Sequence, residues 1–123
     1  MEKKLMIVDD DPYILITLRE LFEEYNFEVY TVPNGKDCID ELKQGFKGVI
    51  LMDIMMPIMN GWDTIREIIK EDLFKGITIS MLTAKDMPDP DINEFREYIK
   101  DYITKPFEPQ ELVSIVRSYF RNN

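Results

Sequence analysis

The chain contains no histidine, and Cys38 is its only cysteine. Most zinc sites in proteins are built from the side chains of these two residue types, so a zinc centre of the usual kind is nearly excluded. A single cysteine cannot form an internal disulfide, which is typical of proteins that work in a reducing compartment. We therefore expect a cytoplasmic protein without a structural disulfide.

Positive charge is scarce as well. The 123 residues include 15 Lys and Arg against 24 Asp and Glu, which gives a formal charge of −9 at pH 7. Binding to the phosphate backbone of DNA or RNA needs clustered basic side chains that release counterions. We expect no nucleic acid partner for this chain.

Long apolar runs are also lacking. The apolar stretch near the N-terminus is too short for a signal peptide, and no stretch approaches the roughly twenty apolar residues that cross a membrane. The length suits one domain with its own core, which we assign to residues 1–123. These features predict a soluble single-domain protein with no membrane contact.

Short apolar runs alternate with longer segments of helical period, and this alternation predicts a βα ladder. Two of the runs, GVILM and ITISML, are apolar at nearly every position, as strands covered on both faces must be. The pattern predicts a parallel sheet with helices on both faces. The expected strands are 4–8, 28–32, 48–52, 77–82 and 102–104. The first expected helix begins at Asp11–Pro12, and four more helices are expected at 36–44, 61–70, about 91–98 and 109–121.

Acidic residues stand where the first and third of these strands end. Asp9, Asp10 and Asp11 follow the first strand, and Asp53 follows the run VILM. Asp11 precedes Pro12, so helix capping explains it fully. If the two strands are neighbours, the other three carboxylates converge, and like charges so placed need an offsetting cation. Mg²⁺ prefers oxygen ligands, and the backbone carbonyl of Met55 is a natural further donor.

Two other side chains come at the ends of later strands. Thr83 follows ISML, and Lys105 follows DYIT. The carboxyl ends of parallel strands are where ligands bind in sheets of this kind, so both side chains should lie at the same rim as the acids. There Lys105 can hold a phosphoryl oxygen, Thr83 can donate a hydrogen bond, and Asp53 can attack phosphorus. Each residue alone is a weak signal, but together they predict a site for phosphoryl transfer.

The motifs VDDD, LMDIMMP, NG, LTA and DYITKPF extend from one end of the chain to the other. In type and spacing they resemble the receiver domains of response regulators in two-component signalling, of the chemotaxis-regulator type. The resemblance implies a flavodoxin-like α/β fold, a single doubly wound five-stranded parallel sheet of strand order 2-1-3-4-5. It also implies a cis peptide bond between Lys105 and Pro106.

The resemblance further implies a role for each matched residue. Asp53 becomes the phosphoacceptor, Asp9 and Asp10 become the acidic pair that holds Mg²⁺ with Asp53 and the Met55 carbonyl, and Lys105 binds the phosphoryl group. Thr83 is implied as the switch hydroxyl, and Tyr102 as the aromatic switch residue that turns inward with it. The domain would be regulated by this chemistry and would not act as an enzyme on a free substrate.

Partners are implied in the same way. The resemblance implies that the phosphoryl donor is a histidine kinase or a histidine phosphotransfer protein, and the chain has no histidine of its own that could donate the group. A downstream effector protein or domain is expected to recognise a changed surface around the fourth helix, fifth strand and fifth helix. The protein itself is expected to be a monomer or a weak dimer. Ile16 falls off the buried stripe of the first helix and with Tyr13 can form a small exposed apolar patch for the kinase or transfer protein, although a single exposed isoleucine is also ordinary.

Two alternatives stay open at this stage. The stretch MIVDDDPY also resembles phosphotransferases of the haloacid-dehalogenase type, with Asp9 as nucleophile and Asp11 as acid and base. That family has a threonine or valine where this chain has Tyr13, and it usually needs a cap and a longer chain. The other alternative is a receiver locked in one state that only binds partners.

One stretch departs from the receiver pattern. Receivers commonly carry a small glycine-alanine pair before the fifth strand, where this chain has Tyr98 and Ile99. A residue other than glycine pays to adopt a positive φ, so the fourth helix is expected to end differently here.

Overall fold

The computed structural model describes residues 3–84 and 94–121. They form five strands, four helices and one turn of 3₁₀ helix in strict alternation. The strands are β1 (Lys4–Val8), β2 (Glu28–Val32), β3 (Gly48–Asp53), β4 (Ile77–Ala84) and β5 (Ile99–Lys105). The helices are α1 (Pro12–Glu24), α2 (Gly35–Lys43), α3 (Gly61–Lys70) and α4 (Pro109–Ser118), with the 3₁₀ turn at Arg96–Tyr98.

The strands build one sheet in the order β2-β1-β3-β4-β5, and every neighbouring pair is parallel. The predicted doubly wound fold and its strand order are therefore confirmed. Strand β1 lies at the point where the chain stops adding strands on one side and begins on the other. Its carboxyl end is where a doubly wound sheet opens a crevice for ligands.

The helices cover the sheet on both faces, which we call the α1/α4 face and the α2/α3 face. On the α1/α4 face, Phe22 and Leu112 are fully buried against side chains of the sheet such as Leu5 and Leu51. The core of the α2/α3 face is built in the same way from Cys38, Ile65, Ile68, Met6, Ile50 and Met81. This double cover explains why the central strands are apolar at most positions.

Local signals start the two helices that flank the crevice. Asp11 accepts a hydrogen bond from the backbone N–H of Tyr13 at 2.9 Å and caps α1, with Pro12 at its first position. Asn60 and Asp63 form a reciprocal capping box at α3. A Cβ atom on Gly61 would lie only 2.7 Å from the carbonyl oxygen of Asp53, so only glycine lets α3 begin this close to β3.

Most predicted boundaries agree with the structure within one or two residues. The clearest error is β5, which begins at Ile99 and not at residue 102. Of the helix expected at 91–98, residues 91–93 lie outside the described residues, and the end is the single 3₁₀ turn Arg96–Tyr98. Helix α4 ends at Ser118, before the expected residue 121.

The single cysteine of the chain lies in the core. Cys38 is fully buried, and burial, aided by the charge of Glu41, raises the pKa of its thiol to about 12. A thiol in that state is inert packing and not a redox group.

In the described part of the chain, no helix is long and apolar enough to cross a membrane.

Candidate functional site

Three carboxylates meet at the carboxyl edge of the sheet. Val8 of β1 pairs with Met52 of β3, so the next residue of each strand, Asp9 and Asp53, arrives at the same point. Oxygen atoms of Asp9, Asp10 and Asp53 all lie within 4.8 Å of one another. Asp9 and Asp53 are 1% and 6% exposed, whereas Asp10 is exposed to solvent. Two of the acids are therefore deprived of the water that would normally stabilise their charge.

The ammonium group of Lys105 supplies the missing positive charge. Its Nζ atom lies 3.1 Å from Oδ2 of Asp9 and 3.2 Å from Oδ1 of Asp53, and it donates a hydrogen bond to each. Burial alone would lower the pKa of Lys105, but the carboxylates of Asp53 and Asp9 raise it above its usual value. Lys105 is therefore held in its charged form. The expected cis peptide bond to Pro106 is present.

Asp53 has the most perturbed carboxyl group of the site. Burial raises its pKa from 3.8 to about 6, the negative charge of Asp9 adds to this effect, and Lys105 only partly opposes it. A carboxyl group with a pKa this close to neutrality, in a crevice and beside a cation, is typical of a functional site. The raised pKa means that protonation, which removes the nucleophilic carboxylate, competes at mildly acidic pH.

Asp9 is held by the backbone as well as by Lys105. The N–H of Asp11 donates to Oδ1 of Asp9 at 2.9 Å, so the two oxygens of this buried carboxylate each accept a hydrogen bond. The carboxylate of Asp11 itself is engaged in capping α1. This arrangement orients Asp9 as a fixed charge and leaves Asp11 a structural role.

Thr83, Tyr102 and Met55 lie around this centre but are not joined to it by hydrogen bonds between side chains in the described residues. The hydroxyl of Thr83, near the end of β4, donates to the carbonyl of Ala84 at 3.1 Å. The ring of Tyr102 is half-buried on the α2/α3 face. Met55 lies in the loop between β3 and α3, where its side chain is 66% exposed.

Sequence reasoning missed an aromatic cluster beside the site. Trp62 at the start of α3 stacks on Phe95 with ring centroids 5.4 Å apart and planes inclined by 8°. The ring of Tyr102 is tilted by 45° to that of Trp62, with the two ring centroids 6.3 Å apart. The guanidinium of Arg66 lies over the Phe95 ring at 5.2 Å. No short motif contains both Trp62 and Phe95, so only the folded structure reveals their contact.

Comparison with known proteins decides the family. Residues 5–117 match the model of the response regulator receiver domain. The chain belongs to this family. It is 30% identical over 115 residues to protein PilH of Pseudomonas aeruginosa, covering 94% of this chain and 95% of PilH. It is 32% identical over 123 residues to the DNA-binding response regulator MtrA of Mycolicibacterium smegmatis, covering all of this chain and 53% of MtrA.

A solved structure gives the same result. The CheY-like receiver domain protein of Methanospirillum hungatei JF-1 is 44% identical, with a TM-score of 0.91 over 97% of this chain and 94% of that chain. The chain is thus a receiver domain of two-component signalling, a class of regulatory phosphoacceptor domains. It spans about half the length of some curated relatives, including MtrA. The haloacid-dehalogenase alternative is not favoured by these matches.

Proposed function

We propose that this receiver takes a phosphoryl group on the Asp53 carboxylate and changes its partner surface in response. One observation carries the assignment: Lys105 bridges the buried carboxylates of Asp9 and Asp53 at the edge of the sheet. In the transfer, a carboxylate oxygen of Asp53 forms a bond to phosphorus while the bond between phosphorus and the donor's imidazole nitrogen breaks. Lys105 stabilises the negative charge that the transferred group brings.

The three acids fit a magnesium ion. Their donor atoms are all carboxylate oxygens, clustered within 4.8 Å, and oxygen is the ligand that Mg²⁺ prefers. Asp9, Asp10 and Asp53 would hold the ion, together with the carbonyl of Met55. When bound, Mg²⁺ supplies positive charge that offsets both the carboxylates and the phosphoryl oxygens. All three acids are metal ligands in this proposal, and Asp53 is also the nucleophile.

Thr83 and Tyr102 carry the change outward in this proposal. A phosphoryl group adds up to two negative charges and new hydrogen-bond acceptors beside the end of β4. The hydroxyl of Thr83 can exchange its local bond to Ala84 for a bond to such an oxygen. Tyr102 follows it, and the equilibrium between two arrangements of the domain shifts.

The donor is a histidine kinase or histidine phosphotransfer protein, as membership of the receiver family supports, because this chain has no histidine of its own to carry the group. Exposed apolar side chains support a docking surface for this donor protein. Within the described ranges, the large apolar side chains exposed to solvent are Tyr13, Ile16, Met55 and Ile58. They lie in the two segments that directly follow the acids of the site. Ile58 is fully exposed and has φ 70, an unusual conformation for a β-branched residue. A downstream effector then reads the switched surface.

The test is phosphorylation by a small acyl phosphate in the presence of Mg²⁺, followed by intact-mass measurement. We expect one stable phosphoryl adduct on the wild type and none on Asp53→Asn. Turnover of the donor without an adduct, lost in Asp9→Asn, would instead indicate the hydrolase reaction. No adduct and no effect of Mg²⁺ would indicate a receiver that only binds partners.

A further inference from the structure

Strands β4 and β5 pair through a register shift. Ile79 pairs with Ile99, but Ser80, the next residue of β4, pairs with Asp101. Lys100 is therefore one extra residue in β5, which is the definition of a β-bulge. From this point the pairing continues in step to the end of both strands.

The extra residue determines which face of the sheet each later side chain of β5 takes. Side chains alternate between faces, so a shift of one residue moves all that follow to the opposite face. With the bulge, Ile103 is buried on the α1/α4 face beside its partner Leu82. Lys105, two residues further, takes the same face and meets Asp53. Without the bulge, Lys105 would point away from both acids.

A hydrogen-bonded chain lies at the first pair after the bulge. The hydroxyl of Tyr119 donates to Oδ2 of Asp101 at 2.6 Å, because an ionised carboxylate can only accept. The Oγ of Ser80 lies 2.7 Å from the same hydroxyl oxygen, and with the Tyr119 proton committed to Asp101, Ser80 is the donor of this bond. Tyr119 is the capping residue at the end of α4. One hydroxyl group therefore ties β4, β5 and α4 together.

The two hydrogen bonds made by the Tyr119 hydroxyl are of a kind that is costly to break. Ser80 is fully buried, so losing its partner would leave a polar atom unsatisfied in the core. The bond to the carboxylate is charge-assisted, the stronger kind of hydrogen bond. Burial and the bond to Asp101 raise the pKa of Tyr119, which keeps its proton in place.

We propose that Ser80, Tyr119 and Asp101 are positioning residues that fix the register of β5 and thereby place Lys105 beside Asp53. None of the three lies at the carboxyl edge of the sheet, so they act on the chemistry only through other residues, and the register of β5 links them to Lys105. The consequence for phosphorylation rests on the proposed function, whereas the register itself does not.

The first experiment measures register. Amide hydrogen exchange is followed by NMR in Tyr119→Phe and in a matched control, Tyr25→Phe. The control also removes a hydrogen bond between a tyrosine hydroxyl and α4, because the hydroxyl of Tyr25 donates to Gln110 at 2.7 Å. We expect exchange in β5 beyond the bulge to become about tenfold faster in Tyr119→Phe, as loss of one charge-assisted bond predicts. Contacts between Leu82 and Ile103 should weaken with it. Tyr25→Phe should leave both unchanged.

The second experiment measures the effect through Lys105. The rate of phosphorylation by a small acyl phosphate is compared for Tyr119→Phe in the wild type and in the Lys105→Met background. We expect a drop of about tenfold in the wild type and no further drop when Lys105 is absent, because coupled residues are not additive. A merely structural role would give the same factor in both backgrounds, and that result would overturn the proposal.

Further variants keep the inference testable. If Tyr119→Phe does not fold, Asp101→Asn and Asp101→Ala replace it: the amide retains an acceptor and should preserve the register, whereas alanine should not. Equal exchange in β5 for these two variants would contradict the proposal. If the wild type takes no phosphoryl group, the proposed function fails, and the exchange measurement still decides the register.

Discussion

The ammonium nitrogen of Lys105 lies 3.2 Å from Oδ1 of Asp53, although 52 positions separate the two residues in the chain. The same nitrogen lies 3.1 Å from Asp9. One cation thus serves two buried carboxylates, and the exposed Asp10 stands beside them. When all three acids are ionised, negative charge remains in excess at this edge of the sheet. The negative charge of the site is therefore not balanced until a further cation or a proton binds there.

Replacing Lys105 should slow phosphorylation without preventing it. In Lys105→Met we expect the rate of transfer from a small acyl phosphate to fall by about 10²-fold, the usual effect of removing one preorganised group that stabilises developing charge. Initial rates from intact-mass measurements check this. Lys70→Met, which removes an exposed lysine from the end of α3, is the control. Equal rates for the two variants would assign the phosphoryl contact to another residue.

Magnesium should stabilise the fold through the same acids. A ligand that binds only the folded state adds about 1.4 kcal/mol when its concentration is tenfold above the dissociation constant. We expect thermal unfolding of the wild type to shift upward on addition of Mg²⁺ and to return on chelation. The shift should be largely lost in Asp10→Asn. It should persist in Asp40→Asn, whose exposed carboxylate is paired with Lys36 on α2. A shift that survives in Asp10→Asn would place the ion elsewhere.

The raised pKa of Asp53 predicts a specific dependence of stability on pH in metal-free buffer. Its pKa is about 6 in the fold and 3.8 ordinarily, so the folded state favours the protonated form. This contribution is complete below the ordinary value and is lost as the pH rises through about 6. We expect the free energy of unfolding of the wild type to fall by about 1–3 kcal/mol between pH 4 and pH 7 from this group alone.

Asp53→Asn isolates that contribution. The amide cannot titrate, so the variant should lack this fall and should be more stable than the wild type near pH 7. Denaturant unfolding at several pH values with a chelator present checks both statements. Parallel profiles for wild type and variant would show that burial does not perturb Asp53.

Much of the fold and of the acidic rim follows from the sequence, and the reason is physical. Apolar runs covered on both faces leave few alternatives to a strand, and βα alternation makes the strands parallel. Parallel strands place their carboxyl ends at one edge, which brings the segments of Asp9, Asp53 and Lys105 together. The order of the strands came from the family resemblance, because local patterns do not state which strands are neighbours.

The start of β5 was not predictable in this way. Lys100 and Asp101 are poor strand formers, and the bulge at Lys100 breaks the alternation that marks a strand. Asp101 accepts a hydrogen bond there from Tyr119, which belongs to a distant helix. The contact between Trp62 and Phe95 is missed for the same reason, since it joins segments that no local pattern relates. What sequence reasoning misses here is the set of long-range contacts that support the site.

Trp62 should report the switch by fluorescence. It is the only tryptophan, it is 5% exposed, and its ring lies 6.3 Å from that of Tyr102. If Tyr102 moves when Thr83 turns toward a phosphoryl group, the surroundings of the indole change. We expect its emission intensity to change when a small acyl phosphate and Mg²⁺ are added to the wild type, and to stay constant in Asp53→Asn.

Thr83→Ala separates phosphorylation from the switch. This variant retains Asp53 and Lys105, so intact mass should still show the phosphoryl adduct. Without the hydroxyl, residue 83 cannot bond to the phosphoryl group, so Tyr102 should not move. The emission of Trp62 should then stay near its starting value. A full change of emission in phosphorylated Thr83→Ala would mean that the aromatic cluster senses Asp53 by another route, such as the start of α3, where the N–H of Gly61 donates to the carbonyl of Ile54, the residue after Asp53.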